Sequence, residues 1–474
     1  MVRAGRFLPG IASYFSLLPA RFLIYLPLMS LPDLIEIVPL AKPVRAEITV
    51  PGSKSITNRA LILAALGEGE TSLQGALWSE DTQVMVECLQ DLGLMVNVTP
   101  DPHEFCNRTI TVYGMGGQVP RGGTLEHPLD RFVGNAGTAA RFLGAMLCLG
   151  EGIYRLHGVP RMHERPQASL FRALRDLGYR IDATNEKLPA LIHGSGPRPG
   201  KCRVSIEESS QFASALLLSA KTGGWKVEVA GENAEESPYV VMTSKLIAQF
   251  PKHGSFQVEP DTSSGSYFLA ANWIAQQERI YPKHGDCTQP KWEPTEANQL
   301  SQISVAHWPQ TGWQMDEPFM NYLAPPNTVS RRSDLGDSIM TAIVMAPLYP
   351  HAIEFTDLGR LRVQECERVA ALRTELTKCG AEVLEHGDSL TVFPSAARLH
   401  GAEIETYNDH RIAMCFAILG LKISGIKIKN PSCVKKTFPN FFQKLATPLP
   451  TGLGATILGG ANGRRLTMVE LFAS

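Results

Sequence analysis

Lysine, arginine and hydroxyl side chains recur at the starts of apolar stretches in this chain, and isolated carboxylates recur with them. In Pro51–Leu66, PGSKSITNRALILAAL, a Pro-Gly turn precedes Ser53, Lys54, Ser55, Thr57, Asn58 and Arg59, and an almost wholly apolar run, Ala60–Leu66, follows. This order of residues reads as a loop, a capped helix start and a buried helix, with Ser53 or Ser55 able to cap it. The free N–H groups and positive end of such a helix favour an anion. Lys54 and Arg59 would add charge-assisted hydrogen bonds to a phosphate or carboxylate. Taken alone, the stretch is explained as well by an ordinary capped helix with two solvated cations.

Further clusters repeat the theme. Arg131–Arg141 (RFVGNAGTAAR) is a Gly/Asn loop entering a helix, where Gly134 and Gly137 allow close backbone approach and Asn135 and Thr138 offer polar contacts. RMHERP places Arg161, Glu164 and Arg165 in one loop, and Glu208–Gln211 (ESSQ) sets Ser209, Ser210 and Gln211 at a helix start. Asp337 opens the apolar stretch GDSIMTAIVMA, and RVQECER spaces Arg362, Glu365 and Arg368 three apart. YNDHR (407–411) and the Lys435–Pro439 stretch KKTFP complete the set; His410, beside Asp409 and Arg411, reads as a structural histidine. Ser79-Glu80-Asp81-Thr82 reads as a helix cap. There is no GxGxxG fingerprint, and Gly200-Lys201-Cys202 lacks both the upstream glycine and the hydroxyl of a P-loop. Together the clusters predict a cleft between two domains that binds a small, multiply anionic substrate pair. Asp337 and Glu365 are the carboxylates available for proton transfer there.

The elements that must hold these groups form a repeat. A polar cluster precedes an Ala/Leu/Met-rich helix over Ser53–Leu66, Gly134–Leu149, Ser209–Ala220, Thr262–Ile274, Gly336–Leu348 and Asn408–Leu421. Second, amphipathic helices are predicted over Thr82–Leu92, Gln167–Leu177, Tyr239–Phe250 and Glu367–Lys378, with Gly93, Gly178 and Gly380 as C-caps. Alternating stretches such as Glu47–Val50, Thr109–Val112, Lys226–Val229, Leu390–Phe393 and Ile426–Lys429 supply strands. Apolar-all-round helices must be buried, so their polar N-termini are the parts that reach a cleft.

The chain has 474 residues, enough for two large domains. Its apolar content of 44% and charge of 19% suit a globular protein, and a net charge of -1 argues against nucleic-acid binding. Nine cysteines include no CxxC and no zinc spacing, which predicts free thiols in a reducing compartment. The first 32 residues carry Arg3, Arg6 and Arg21 without an acid, but Pro9, Pro19, Pro27 and Pro32 break any membrane span. They read as an extension, a poorly formed targeting segment or an early start site. The Gly/Pro-rich stretch after Leu445 reads as a loose appendage.

From about Ile35 to Leu445 the chain resembles the 3-phosphoshikimate 1-carboxyvinyltransferases (5-enolpyruvylshikimate-3-phosphate synthases) of the enolpyruvyl transferase family. The resemblance is carried, in family order, by PGSKSITNRAL, GNAGTAAR, PRMHERP, ESSQ, SPY (237–239), DTSSGSYFLAA, GDSIMTA, RVQECER, YNDHRIAM and KKTFP. It implies an α/β fold of two similar domains, each of three repeated units in an inside-out α/β barrel, with the active site between them. The implied division is an extension over 1–34, a first domain over 35–52 and 261–445, a second over 53–260 and a tail over 446–474. It implies that Lys54, Asn135, Gly137, Arg161, Gln211, Arg368, Arg411 and Lys436 bind phosphoenolpyruvate. Ser55, Arg59, Ser209, Ser210, Gln211, Asp337 and Gln364 would bind shikimate 3-phosphate. Asp337, Glu365, Lys54 and Lys436 would carry the proton transfers. No metal, cofactor, nucleic acid or membrane is implied, and the expected form is a cytoplasmic monomer.

Three positions depart from the family pattern: Gln364 stands where lysine is frequent, Arg360 where asparagine is frequent, and Glu236 displaces the usual serine. Phe142 follows the helix arginine where proline is frequent. The competing readings are UDP-N-acetylglucosamine enolpyruvyl transferase, which uses a loop cysteine not matched here, and an inactive anion-binding relative.

Overall fold

A computed structural model of the chain describes residues 31–231, 237–280, 291–294, 301–460 and 463–473. The six apolar helices are Lys54–Leu66, Gly137–Leu147, Gln211–Gly223, Thr262–Gln276, Ile339–Met345 and His410–Gly420. Each begins at or just after its predicted polar cluster. Every residue of Gly137–Leu147 and His410–Gly420 is buried, as sequences without a polar face require. The first three helices pack on one another, and so do the last three.

Sheets cover the outside of each trio. Four of them share one pattern of four strands, in which a parallel pair is followed by two antiparallel neighbours. Their orders are Gly254–Gln257, Glu68–Leu77, Asn107–Met115, Met95–Pro100; Leu129–Phe132, Glu151–His157, Ala190–Ser195, Arg180–Ala183; Thr328–Ser330, Ile353–Thr356, Ser389–Val392, Val383–His386; and Glu403–Ile404, Ile426–Lys429, Leu34–Ile37, Ile457–Gly459. Two parallel pairs, Gly200–Ser205 with Trp225–Ala230 and Gln302–Val305 with Arg45–Ile48, and one antiparallel pair, Gln277–Ile280 with Lys291–Pro294, are the remaining sheets among the described residues. The amphipathic helices appear as Glu80–Asp91, Ala168–Asp176, Pro238–Gln249 and Arg368–Lys378. Gly93, Gly178 and Gly380 take φ of 100°, 86° and 86°, the left-handed geometry that their C-cap positions call for.

Two hydrophobic cores result. One runs from Ile56 to Val258; the other combines Leu31–Val50 with Tyr267–Ala473. The chain crosses between them at two adjacent segments, joined by Ser53 N–H to Glu259 O (2.7 Å) and Asp261 N–H to Pro51 O (2.8 Å). Beside the crossing, the buried Glu104 carboxylate of one core accepts from Lys444 Nζ (2.6 Å), Thr49 Oγ1 (2.8 Å) and Asn440 Nδ2 (2.8 Å) of the other.

The ends of the chain correct two expectations. Residues 1–30, on which most of the expected extension falls, lie outside the described residues, but Leu31 is buried and Leu34 already pairs with Lys429. The stretch after Leu445 is not loose. Its strand Ile457–Gly459 is the fourth member of the last sheet, and Leu453, Ala455, Ile457, Leu466, Leu471 and Ala473 are buried in the core. Phe472 also meets Phe105 of the other half edge-on, at 5.3 Å between ring centroids. The Gly/Pro composition marks turns between these short contacts, and the four-strand pattern needs the strand they deliver. Ending the chain at Thr447 removes several buried Leu and Ile side chains, each worth about 1.5–3 kcal/mol. We expect the truncated protein to be insoluble or to melt well below the full chain, as read by a thermal scan with circular dichroism.

Candidate functional site

All six apolar helices direct their N-terminal residues at one cavity. Its wall includes Ser53, Lys54 and Ser55, Thr138, Ser209–Gln211, Asp261–Ser264, Asp337, and His410 with Arg411, one group from each helix start. Neither Ser53 nor Ser55 caps its helix through the side chain, and the Ser53 hydroxyl is buried without a partner. Each helix end adds partial positive charge on top of the cations.

Three guanidinium groups in this wall are buried against neutral partners. Arg59 donates to Thr243 Oγ1 (2.8 Å), Ser55 O (2.8 Å) and Ser214 Oγ (3.1 Å) and lies 5.3 Å from the Phe142 ring. Arg141 donates to Gln211 Oε1 (2.7 Å), and Arg165 to Asn135 O (3.1 Å). Among the described residues no carboxylate forms an ion pair with any of the three. Burial pulls Arg59 down to about 10 and, with Arg165 nearby, Arg141 down to about 9. The Nε atoms of Arg141 and Arg165 are buried without partners. A buried cation in this condition is stabilised by a bound anion. Gly137 is where that anion would approach: a Cβ there would lie 2.6 Å from both Arg141 Nη1 and Arg165 Nη2.

The carboxylates sit on the opposite wall. Arg331 and Arg411 grip Asp337 at 2.9 and 3.0 Å. Burial works against its charge, but Arg411 and Arg331 prevail and hold the carboxyl below the usual range. Glu365 pairs with Arg368 (2.8 Å) and faces Lys436 (3.8 Å); these cations likewise outweigh burial and depress it. Arg368 is anchored from behind by Asp409 (2.6 Å), which also accepts from Arg411 N–H (2.8 Å), and it contacts Gln364 Oε1. Both candidate proton carriers are therefore ionised.

Of the residues singled out from sequence, Lys54, Ser55, Arg59, Ser209, Ser210, Gln211, Asp337, Gln364, Glu365, Arg368 and Arg411 line the cavity. Asn135, Gly137 and Lys436 stand directly behind it, with Lys436 Nζ donating to Asn135 O at 3.1 Å. Arg161 does not belong to the wall. It is half-buried, paired with Glu164 (2.6 Å) and donating to Gln364 O (3.1 Å), while Arg165, one turn further, is buried in the lining. Both arginines were visible in one motif, and their spacing alone did not say which faced inward. Arg360, which reaches the Ile206 carbonyl of the other half, also lines the cavity, whereas Glu236 lies outside the described residues.

Sequence reasoning missed Asp316 altogether. This buried carboxylate accepts from Ser263 Oγ, Ser338 Oγ (2.6 Å) and Gly336 N–H (2.6 Å), fixing the loop that carries Asp337. No cluster of cations flanks it to flag it. His410 is not the satisfied histidine expected: both ring nitrogens are buried without hydrogen-bond partners, Nδ1 coming no nearer than 3.8 Å to Asp409, and the ring lines the cavity.

The EPSP synthase (3-phosphoshikimate 1-carboxyvinyltransferase) family model matches residues 39–253 and 248–445. The chain belongs to that family. A 3-phosphoshikimate 1-carboxyvinyltransferase of Opitutus terrae is 36% identical over 455 residues, covering 88% of this chain and 98% of the relative. One of Aeromonas salmonicida is 36% identical over 437 residues, covering 85% and 96%. The EPSP synthase structure from Acinetobacter baumannii superposes with a TM-score of 0.62 at 21% identity, covering 90% of this chain and 99% of that one, and shows the shared fold. The family match ends at Leu445, so the strand Ile457–Gly459 lies beyond it.

The buried histidine gives this EPSP synthase family member a testable acid response. Burial, then Arg411, holds His410 well below its ordinary value, so it stays neutral when folded. Unfolded, it takes up a proton below about pH 6.5. Stability is therefore full above that pH and falls as pH drops through it, by up to about 1.4 kcal/mol per unit. Asp337 and Glu365, depressed when folded, add a second loss only below their unfolded values near pH 4. We expect His410→Gln to flatten the dependence of the urea midpoint between pH 7 and 5.

Proposed function

We propose that the cavity binds phosphoenolpyruvate and shikimate 3-phosphate together and transfers the carboxyvinyl group of the first to the 5-hydroxyl of the second, releasing phosphate. One observation carries this reading: Arg59, Arg141 and Arg165 are buried without ion-pair partners in a cavity ringed by six helix N-termini. A pair of small polyanions supplies the missing charge. Family membership supports the identity of that pair.

Lys54, Arg368, Arg411 and Lys436 act on phosphoenolpyruvate, with Arg141 and Arg165 in the place expected for Arg161. Ser55, Arg59, Ser209, Ser210 and Gln211 hold the acceptor. The acceptor hydroxyl attacks C2 of phosphoenolpyruvate and loses its proton to Asp337, while C3 gains a proton. The tetrahedral ketal phosphate then loses a C3 proton and its C2–O bond to phosphate, restoring the enol ether. Because Glu365 is ionised before substrates bind, Lys436 is the initial proton reservoir and Glu365, 3.8 Å away, the relay toward C3. Arg411 must let Asp337 go for it to act as base, and a bound donor anion competes for that guanidinium.

We further propose the inside-out barrel for each half, on the strength of helices packed within and sheets without. The working form is a cytoplasmic monomer: one chain supplies the whole cavity wall, and the described cysteines are all unpaired. Against a thiol-dependent enolpyruvyl transferase, no described cysteine lines the cavity; Cys287 lies outside the described residues.

Phosphate release from phosphoenolpyruvate should require shikimate 3-phosphate and fail with UDP-N-acetylglucosamine; the opposite preference, or none, would refute the assignment. Glu365→Gln should lower turnover by about 10²–10⁴-fold while equilibrium dialysis still shows both substrates bound. Unchanged turnover would remove Glu365 from the proton path.

A further inference from the structure

Asp81 opens the helix Glu80–Asp91, yet it does not serve that helix. Thr82 Oγ1 accepts from Ser79 N–H (3.0 Å) and donates back to Leu77 O (2.7 Å), closing the helix start without it. The Asp81 carboxylate is buried and instead holds two ammonium groups. Lys54 Nζ lies 3.0 Å from one oxygen and Lys436 Nζ 3.5 Å from the other. The partners come from different bodies of the fold: Lys54 from the half built on the Ile56–Val258 core, Lys436 from the half that contains Val434 and Phe438. Lys436 also touches Asn135 O (3.1 Å) and Glu365 (3.8 Å), so the same knot reaches the carboxylate that handles the proton. Asp81 itself is not part of the cavity wall.

We propose that Asp81 is a positioning residue for the reaction, a single carboxylate behind the cavity that brings Lys54 and Lys436 together across the two halves and so couples their closure to the assembly of the donor site. Two ammonium ions this near one another in a buried place repel strongly unless a negative charge lies between them. Asp81 provides that charge from a position no substrate displaces. With the halves apart, Lys436 leaves Asp81, and the donor site loses one of its two lysines. The inference rests on the activity proposed above for kinetic consequences, but its structural part stands apart from it.

The test compares Asp81→Asn, which keeps shape and removes charge, with Asp81→Glu, which keeps charge. Misplacement of this kind costs on the order of 10²-fold. We expect Asp81→Asn to lose about that much kcat while the KM for shikimate 3-phosphate moves less than about twofold, because the acceptor-side hydroxyls are untouched. Asp81→Glu should recover at least about a tenth of wild-type kcat. A merely structural role predicts that both variants fall equally, with kcat and the KM for shikimate 3-phosphate moving together, and that result overturns the proposal. Small-angle scattering of the substrate-free protein reads the other half. Asp81→Asn and Lys436→Met should each enlarge the radius of gyration, and the double variant should enlarge it no further. An unchanged radius in both single variants overturns the coupling. If the wild-type enzyme turns over no acceptor, the activity reading fails, and the scattering still decides whether Asp81 ties the halves together.

Discussion

The structure depends on gathering like charge into one buried place and holding it there. Six helix starts converge, each carrying roughly half a positive charge, and eight cationic side chains face five acidic ones in the wall. Such a site would repel itself apart in a single loosely packed layer. Here each helix is locked by an apolar body buried in one of the two cores, so that separating the helix starts would expose it to water. The carboxylates are distributed accordingly. Asp409 and Glu365 flank Arg368, Asp337 lies between Arg331 and Arg411, and Asp316 tethers the loop beneath. Among the described residues, the buried guanidinium groups of this wall without an ion pair are Arg59, Arg141 and Arg165, and on the proposed function it is this remainder that the substrates would neutralise.

Much of that arrangement was legible in the sequence because helix burial and helix capping leave separate marks. An apolar stretch without a polar face, such as His410–Gly420, has to be interior, and a polar cluster at its start then has to face whatever opening the interior has. Positions within one helical turn were less legible. Arg161 and Arg165 share a motif, and the way the short helix Pro160–Glu164 sits, with its own Met162 turned into the core, decides which guanidinium points inward. Asp81 was read as a cap because caps and buried ion pairs draw on the same residue type; the difference lies in Lys436, hundreds of positions away. Asp316 left no mark at all, since its partners are two serine hydroxyls and two backbone amides.

The end of the chain shows the same limit from another side. Glycine and proline predict turns, and turns in a row suggest a segment without structure. Yet three four-stranded sheets in this fold obtain their outer strand from a neighbouring hairpin, and the fourth has no hairpin to supply one. The strand Leu34–Ile37 pairs with Ile426–Lys429 on one side and would present an open edge on the other. Ile457–Gly459 closes that edge, which an apolar strand needs if it is not to recruit a foreign one. The requirement comes from topology and is invisible to local composition.

The depressed carboxylates finally constrain how such a site can work. A group gripped by two arginines is a poor base, and one beside an arginine and a lysine is a poor acid. Both conditions hold only while those cations have no better partner. On the proposed function, a donor carrying phosphate and carboxylate would compete for Arg368, Arg411 and Lys436 at once and relax the grip on Asp337 and on Glu365 in the same event. That competition would move both carboxylates back toward the range where proton transfer is fast. Activation by substrate charge requires the cations to be buried, crowded and few enough to be shared, which is the condition that the six converging helices create.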